Sequence, residues 1–161
     1  MADRYEIDAP TAWDLANRPG FLIRRLHQIH QAMFAEECGA FNITPVQFSI
    51  MSVAAAQPGL EQARLGYEVG VDRTTLANVV ARLESRSLLA RTARATDRRL
   101  KQVSLTREGL DLLARIEAPA RRAHVRTVEA LPEAERDMFL RALARLVEAG
   151  NTYGRAPLRL G

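Results

Sequence analysis

The sequence predicts a mainly α fold with one small β-hairpin, on the basis of two observations. In most of the 161-residue chain, apolar residues recur at spacings of three and four, which is typical of amphipathic helices. Between Ser87 and Leu105, by contrast, two short extended segments flank the charged turn "RATDRR", which indicates a hairpin. The length fits one domain with helical extensions, and a 47% hydrophobic content is enough for a core.

Composition restricts the class of protein. Charged residues (Asp3, Arg4, Glu6 and Asp8) lie where the apolar core of a signal peptide would begin, so we expect no secretory leader. No apolar run approaches the roughly 20 residues that cross a bilayer, so we expect no membrane partner. The single cysteine, Cys38, excludes an intrachain disulfide and fits a reducing compartment. We therefore expect a cytoplasmic protein, and no motif calls for a cofactor.

Two helices are predicted in the first part of the chain. The first runs from Pro19 to Cys38, with Gly39 as its C-terminal cap. The second begins at Pro45, a residue that tolerates the first helical position, after Thr44 as N-cap. The apolar stripe of the first helix consists of Leu22, Ile23, Leu26, Ile29, Met33 and Phe34.

The next two helices form a pair joined by a tight turn. A short helix is predicted from Leu60 to about Glu68, and Gly70 can adopt the turn that follows it. Asp72 then stands at the N-cap position of "RTTLANVVARLESR", whose buried face is Leu76, Val79, Val80 and Leu83. The opposite face presents side chains that bind phosphates and base edges, namely Arg73, Thr74, Thr75, Asn78 and Arg82. This arrangement is typical of a helix-turn-helix.

Positive charge is concentrated in and after the second helix of this pair. The window from Arg82 to Lys101 contains seven Arg or Lys residues and two acidic residues, a local net charge of +5, whereas the whole chain carries +4. The window includes the predicted hairpin, Ser87–Ala93 and Leu100–Leu105, which would form a wing beside the helix. A charged wing tip suits phosphates or a narrow minor groove. The alternative is a solvated helix face followed by a charged loop.

These motifs together resemble a known family. Asp97-Arg98-Arg99, followed by Leu105-Thr106 and then Gly109, is similar to the wing signature of the MarR family of bacterial regulators. The segment "VDRTTLANVVARLESRSLL" resembles that family's recognition helix, and the likeness extends from Thr44 to Gly109. It implies a winged helix-turn-helix flanked by dimerisation helices, a homodimer, a double-stranded operator with an inverted repeat, and a small effector, as in members that control aromatic-compound catabolism.

The resemblance also implies roles for individual residues. The exposed helix face (Arg73, Thr74, Thr75, Asn78 and Arg82) would enter the major groove. Many members have Arg at the position of Asn78, whose amide is better suited to adenine than to guanine. At the wing tip, Arg94 and Arg98 would contact DNA, while Asp97 and Arg99 would hold the hairpin together by an ion pair.

Three segments follow from these assignments. Residues 1–43 form an N-terminal arm and dimerisation helix, residues 44–105 the winged helix-turn-helix, and residues 106–161 the C-terminal dimerisation helices and tail. Three apolar helix stripes lie outside the winged domain, more than a domain of that size can bury, so a second copy is the natural cover. The alternative is a compact helical monomer.

The C-terminal segment predicts two helices. Thr106 can cap the first, and Pro119 is expected to bend it near its middle. The second begins with Pro132 and ends at Gly150. Its apolar face, which we expect at the dimer interface, consists of Phe139, Leu143, Leu146 and Val147.

An effector site is expected between the first two helices. The cationic and imidazole side chains of the first, with two apolar side chains of the second, suit an aromatic carboxylate or its thioester. They are Arg24, Arg25, His27, His30, Phe48 and Met51. Core packing explains Phe48 and Met51 equally well.

The sequence gives weaker support to three alternative functions: metal binding, redox sensing and enzymatic activity. His27 and His30 have a spacing that metal ligands use, but no third ligand is evident, and we expect no metal. Cys38 could make the chain a redox-sensing regulator, although a small buried thiol explains it as well. An enzyme would need a nucleophile–base pair or a metal cluster, and no such motif occurs. We interpret the chain as a DNA-binding transcription regulator, a repressor released by a small aromatic acid or its thioester.

Overall fold

The computed structural model describes residues 15–94, 97, 99–154 and 156, and the predicted N-terminal arm before residue 15 lies outside them. Six α-helices and three strands are assigned within this part of the chain. The helices are α1 Pro19–Cys38, α2 Pro45–Ala56, α3 Gln62–Val69, α4 Arg73–Ser85, α5 Arg107–Val128 and α6 Glu133–Gly150. The strands are β1 Leu60–Glu61, β2 Leu89–Ala93 and β3 Lys101–Leu105. The predicted mainly α fold with a small β wing is confirmed.

Side-chain caps fix three of the helix starts. Thr44 and Gln47 form a capping box on α2, each side chain binding the other's backbone N–H. Asp72 caps α4, and the Thr106 hydroxyl caps α5 by accepting the N–H of Gly109 at 3.0 Å. All three caps confirm the prediction, because each bond joins residues within three positions and is therefore local.

The end of α1 differs in detail from the expectation. Gly39 is the C-cap residue, but its φ of −56° is right-handed and it begins a short 3-10 turn, Gly39–Phe41. The left-handed residue is Asn42, with φ of 51°, whose N–H donates to the Gly39 carbonyl. Asparagine adopts this conformation more readily than other residues with a β-carbon.

The wing is a three-stranded antiparallel sheet of order β1-β3-β2. In the register, Leu60 faces Val103 and Leu89 faces Leu105. The prediction of helix from Leu60 onwards was therefore wrong for its first two residues, which pair with β3 and cover its edge. Tertiary pairing overrides local helical periodicity here, and α3 begins only at Gln62.

The core lies between helices α1 to α5 and the sheet. Its largest fully buried side chains are Phe34, Ile50, Met51, Leu65, Leu76, Leu83, Leu89 and Ile116. α5 continues through Pro119, where a bend was expected, although proline removes one backbone donor there. None of the described helices is long and apolar enough to cross a membrane.

α6 is packed differently from the other helices. None of its residues is buried within the described chain. Met138 is 60% exposed and Leu146 65% exposed, and Leu140 and Val147 are also exposed. Exposed apolar side chains of this size on one helix mark a surface that another chain covers.

Candidate nucleic-acid interface and effector cavity

α4 presents the predicted recognition face to solvent along its length. Arg73, Thr74, Asn78 and Arg82 are all exposed. Thr75 is exposed as well, but its hydroxyl donates to Asp72 Oδ2 at 2.7 Å, beside the two backbone N–H groups that bind Oδ1. The hydroxyl proton of Thr75 therefore belongs to the helix cap, and its methyl group and oxygen lone pairs remain available to a ligand.

Several arginines of the positive window are engaged within the chain. Arg86 donates to the carbonyl oxygens of Phe41 and Asn42, at 3.1 and 2.6 Å, and so ties the end of α4 to the loop after α1. Arg91 pairs with Glu84 of α4. These contacts explain part of the local charge as internal structure, a role that charge counting cannot distinguish from ligand binding.

Arg94, a predicted wing-tip contact, forms an ion pair of 2.6 Å with Glu61 of β1. The pair links β1 to the residue that follows β2, at the tip end of the sheet, and both side chains remain partly exposed. The carboxylate therefore competes with any phosphate for this guanidinium.

The wing tip is closed by backbone bonds. The Asp97 N–H donates to the Arg94 carbonyl at 3.2 Å, and the Leu100 N–H to the Asp97 carbonyl at 3.0 Å. Asp97 and Arg99 do interact, but the Asp97 carboxylate accepts the backbone N–H of Arg99 at 2.9 Å, where an ion pair of side chains was expected. Arg98, the other predicted tip contact, lies outside the described residues.

A groove runs between the helix-turn-helix and the wing. It has a volume of about 580 Å³ and brings together cations from α4 and from the wing, Arg73, Arg99 and Lys101, with the carboxylates of Glu61 and Asp72. Tyr67 of α3, which is exposed, lies on the same groove. Sequence reasoning did not select Lys101 or Tyr67, because only the fold places them beside Arg73.

A second cavity, of about 460 Å³ and open to solvent, lies between α1, α2, α5 and α6. Its walls are largely apolar, and its polar side chains come mostly from one face of α5. The lining residues are Leu26, His30, Phe48, Glu117, Arg121, His124, Val125, Thr127, Val128, Phe139, Leu140 and Leu143. A cavity of this size with a few converging polar groups suits a small organic ligand.

The polar centre of this cavity is a pair of histidines. The rings of His30 and His124 stack with centroids 4.9 Å apart and planes 25° apart. His30 Nδ1 lies 2.8 Å from the Thr127 hydroxyl. Burial lowers the pKa of His30 below its usual 6.5, with further contributions from the charges of His124 and His27, so the ring is neutral at pH 7.

The other predicted effector residues lie elsewhere. Arg24 lies over the Phe21 ring, 5.3 Å from its centroid, and the Arg25 guanidinium donates to Gln28 at 2.8 Å. His27 is exposed, and Met51 is fully buried in the core. Of the six side chains, the structure brings only His30 and Phe48 to the cavity. Arg121, His124 and Thr127 were missed, although Glu117, Arg121, His124 and Val128 recur at spacings that place them on one face of α5.

The comparisons with known proteins give the family. A sequence model of the MarR family matches residues 43–101. A transcriptional regulatory protein for the hcr operon of Thauera aromatica is 33% identical over 133 residues, which cover 82% of this chain and 80% of that protein. The chain belongs to the MarR family. It is a MarR-type transcriptional regulator, which replaces the enzyme alternative, since its relatives are named as regulators.

Solved structures of MarR-type regulators have the same fold. PcaV of Streptomyces coelicolor, in complex with its natural ligand, is 32% identical, with a TM-score of 0.78 over 88% of this chain and 99% of PcaV. BpsR of Bordetella bronchiseptica, whose DNA binding is regulated by 6-hydroxynicotinic acid, is 27% identical, with a TM-score of 0.79 over 83% of this chain and 95% of BpsR. The winged helix-turn-helix predicted from the sequence is confirmed.

The environment of Cys38 in this MarR-type chain does not favour reactivity. Its side chain is fully buried at the end of α1. Burial raises the pKa of the thiol, the charge of Glu37 raises it further, and Arg122 opposes this in part. A thiol with a raised pKa holds little thiolate at pH 7, and thiolate is the form that oxidants attack.

Metal binding finds no support in the geometry. His27 is exposed, and His30 faces the cavity, where it contacts His124 and Thr127. Across the described residues, no group of three or more His, Cys, Asp or Glu side chains is placed to hold an ion.

Proposed function

We propose that this MarR-type regulator is a cytoplasmic repressor that binds an inverted-repeat operator as a homodimer and is released by a small aromatic acid or its thioester. The proposal rests on one observation, namely that the same chain has both a surface suited to DNA and a cavity suited to a ligand. The exposed polar face of α4 lies beside a groove that brings together cations of α4 and the wing, and an open, largely apolar cavity lies among the helices that flank the winged domain. The first suits duplex DNA and the second a small ligand.

In the proposed complex, α4 enters the major groove. The side chains that reach base edges or phosphates are those that are exposed and take no part in the helix cap: Arg73, Thr74, Asn78 and Arg82. Arg99 and Lys101 of the wing add phosphate contacts. Arg94 contacts DNA only after its pair with Glu61 opens, and Thr75 contributes through its methyl group and lone pairs. Arg98 is retained as a tip contact on the sequence resemblance.

The proposed dimer is formed through the flanking helices. Leu146 and Val147 of α6 are exposed in a single chain, as are Leu22 and Ile23 of α1. Phe139 and Leu143, the other two predicted interface residues, line the cavity. Their position links the dimer helices to the ligand site, so a ligand that contacts them can alter how the two winged domains are spaced.

The proposed effector is recognised by the shape and polarity of the cavity. Phe48, Phe139 and the aliphatic wall residues suit an aromatic ring, while His30, His124 and Arg121 suit a carboxylate. BpsR, with a similar fold, responds to an aromatic acid. Release of DNA requires that the ligand bind more tightly to a dimer whose recognition helices no longer match successive major grooves.

The DNA part of the proposal is tested by titrating the protein with a duplex from its own upstream region, at several salt concentrations. Arg73→Ala and Arg98→Ala should weaken binding to every duplex, whereas Asn78→Ala should relax base preference at one position in each half-site. Arg145→Ala, an exposed arginine of α6, is the control and should bind as the parent does. Unchanged operator affinity in all three interface variants would contradict the docking.

The effector part is tested with benzoates, hydroxycinnamates and their coenzyme A thioesters. At least one compound should raise the melting temperature and dissociate the protein from its operator, and Arg121→Ala should weaken that response while leaving DNA binding intact. Arg25→Ala is the matched control, since Arg25 is exposed and bonded to Gln28. If oxidant alone releases DNA and Cys38→Ser abolishes that release, the redox-sensing alternative replaces this proposal.

A further inference from the structure

The hydrogen bonds around the stacked histidines assign where the proton of His30 lies. The Thr127 hydroxyl donates to the Ala123 carbonyl oxygen at 2.8 Å, so its proton is already used. The 2.8 Å contact between Thr127 Oγ1 and His30 Nδ1 must then have the ring N–H as donor. In the neutral ring, Nε2 carries a bare lone pair, and no hydrogen bond to it is formed within the described part of the chain.

A carboxylate cannot bind to such a lone pair. The carboxylate of an aromatic acid is ionised at pH 7 and has only acceptor atoms, so its oxygens and the Nε2 lone pair would repel each other. A neutral histidine is therefore a poor partner for the proposed ligand unless the ring first gains a proton. The protonated ring is a donor on both nitrogens and would form a charge-assisted bond to the carboxylate.

The groups that face His30 explain why the proton is absent without a ligand. On α5, His124 stacks on it, and Glu117 and Arg121 lie on the same cavity wall. On its own helix, His27 is the nearby titratable group, and α2 and α6 face the cavity with Phe48, Phe139, Leu140 and Leu143. Arg126, two residues after His124 on α5, is already paired with Glu36 and Glu37. Two imidazolium rings 4.9 Å apart in such a site repel each other.

We propose that the effector carboxylate binds to this cavity together with one proton, which passes from solvent to Nε2 of His30. The His30 N–H then donates to a carboxylate oxygen, Arg121 supplies a second donor, and the neutral His124 ring stacks against the imidazolium. This inference rests on the proposed function, namely that the cavity binds an aromatic acid. It adds that binding consumes a proton and is therefore stronger in mild acid.

The sign of the pH effect follows from this linkage. Above about pH 6.5 the unliganded His30 is neutral, so each complex formed takes up a proton. Affinity for the carboxylate should rise up to tenfold as the pH falls from 8 to 7. A neutral amide of the same shape should bind without pH dependence, because it carries an N–H that can donate to the Nε2 lone pair.

The test is isothermal titration calorimetry of the full chain with 4-hydroxybenzoate and 4-hydroxybenzamide. Titrations at pH 7.5 in phosphate and in Tris, which differ in ionisation enthalpy, give the number of protons taken up. We expect about one proton for the acid and none for the amide. His30→Gln should remove the uptake and flatten the pH dependence, and His27→Gln, on the exposed side of α1, should leave both unchanged. His30→Asn serves as a second variant if His30→Gln does not fold, because it also removes the group that takes up the proton.

The outcomes separate this inference from the function on which it rests. Binding of 4-hydroxybenzoate with equal heat in both buffers, and with constant affinity from pH 6 to 8, would overturn the proton coupling and leave the effector function intact. Proton uptake that persists in the folded His30 variant would also overturn it. Failure of both compounds to bind at millimolar concentration would count against the effector function and the proton coupling together.

Discussion

Gly109 shows how a single position fixes the join between the wing and α5. A β-carbon at this residue would lie 2.1 Å from the Leu88 carbonyl oxygen and 2.8 Å from Leu105 Cδ2. The same Leu88 oxygen accepts the N–H of Thr106 at 3.1 Å. The glycine of the family signature is therefore required by a close approach of two backbone segments.

Gly109→Ala should accordingly destabilise the fold by about 1–3 kcal/mol, the usual cost of overpacking a buried site. Urea unfolding measures the change, and operator affinity should fall with it because the wing shifts. Gly20→Ala is the control, since nothing lies within 4 Å of the corresponding β-carbon in the first turn of α1. Equal stability of the two variants would show that the close approach is not maintained.

Glu61 is a residue whose role is visible only in the structure, through its 2.6 Å pair with Arg94. Glu61→Gln should release the guanidinium, tighten binding to non-specific DNA, and steepen the salt dependence by about one phosphate contact. Glu68→Gln makes the same change in net charge on the Arg64 pair within α3. Fluorescence anisotropy at several salt concentrations compares the two, and identical behaviour would mean that Arg94 does not reach DNA.

At the scale of elements, the helices could be predicted from local sequence signals, whereas the contacts between them could not. Thr44, Asp72 and Thr106 could be predicted as caps because each binds the backbone within three residues. The two-residue strand β1 gives no periodicity, and its identity depends on pairing with β3, some forty residues later. His30 meets Thr127 across 97 positions, so the sequence offered only half of that site.

The pairing of α1 with α5 depends on a carboxylate that binds two arginines. Glu37 accepts from Arg122 at 2.8 Å and from Arg126 at 3.0 Å, and these bonds lower its pKa below 4.5. Glu37→Gln should lower the melting temperature at pH 7. The difference from the parent should shrink as pH falls from 4.5 through the lower folded-state pKa, because the parent carboxylate is then protonated as well.

Glu36→Gln provides the matched control for this prediction. Among the described residues, Glu36 pairs with Arg126 alone, at 2.8 Å, and its side chain is 66% exposed against 18% for Glu37. Glu36→Gln should therefore change the melting temperature less than Glu37→Gln does at every pH. Thermal scans from pH 3.5 to 7 that show the two variants to be equivalent would contradict the assigned role of Glu37.

At the scale of the whole molecule, α6 is the clearest sign of assembly. Leu146→Glu should convert the dimer to a monomer and weaken operator binding in parallel, since each chain then holds one half-site. Leu146 tests the interface more cleanly than Leu143, which also lines the cavity. Arg141→Glu, on the opposite face of α6 by helical spacing, is the control. Sedimentation should give twice 17.9 kDa for the parent and the control.

The central claim is that two copies of α4 and the wing read an inverted repeat. Selection of duplexes from a random library by the purified full chain, followed by sequencing, tests it most directly. The account predicts enrichment of a two-fold symmetric motif with half-site centres about 10–10.5 base pairs, or a multiple of this, apart. Enrichment of a single unrepeated motif, or of none beyond the starting library, would contradict it.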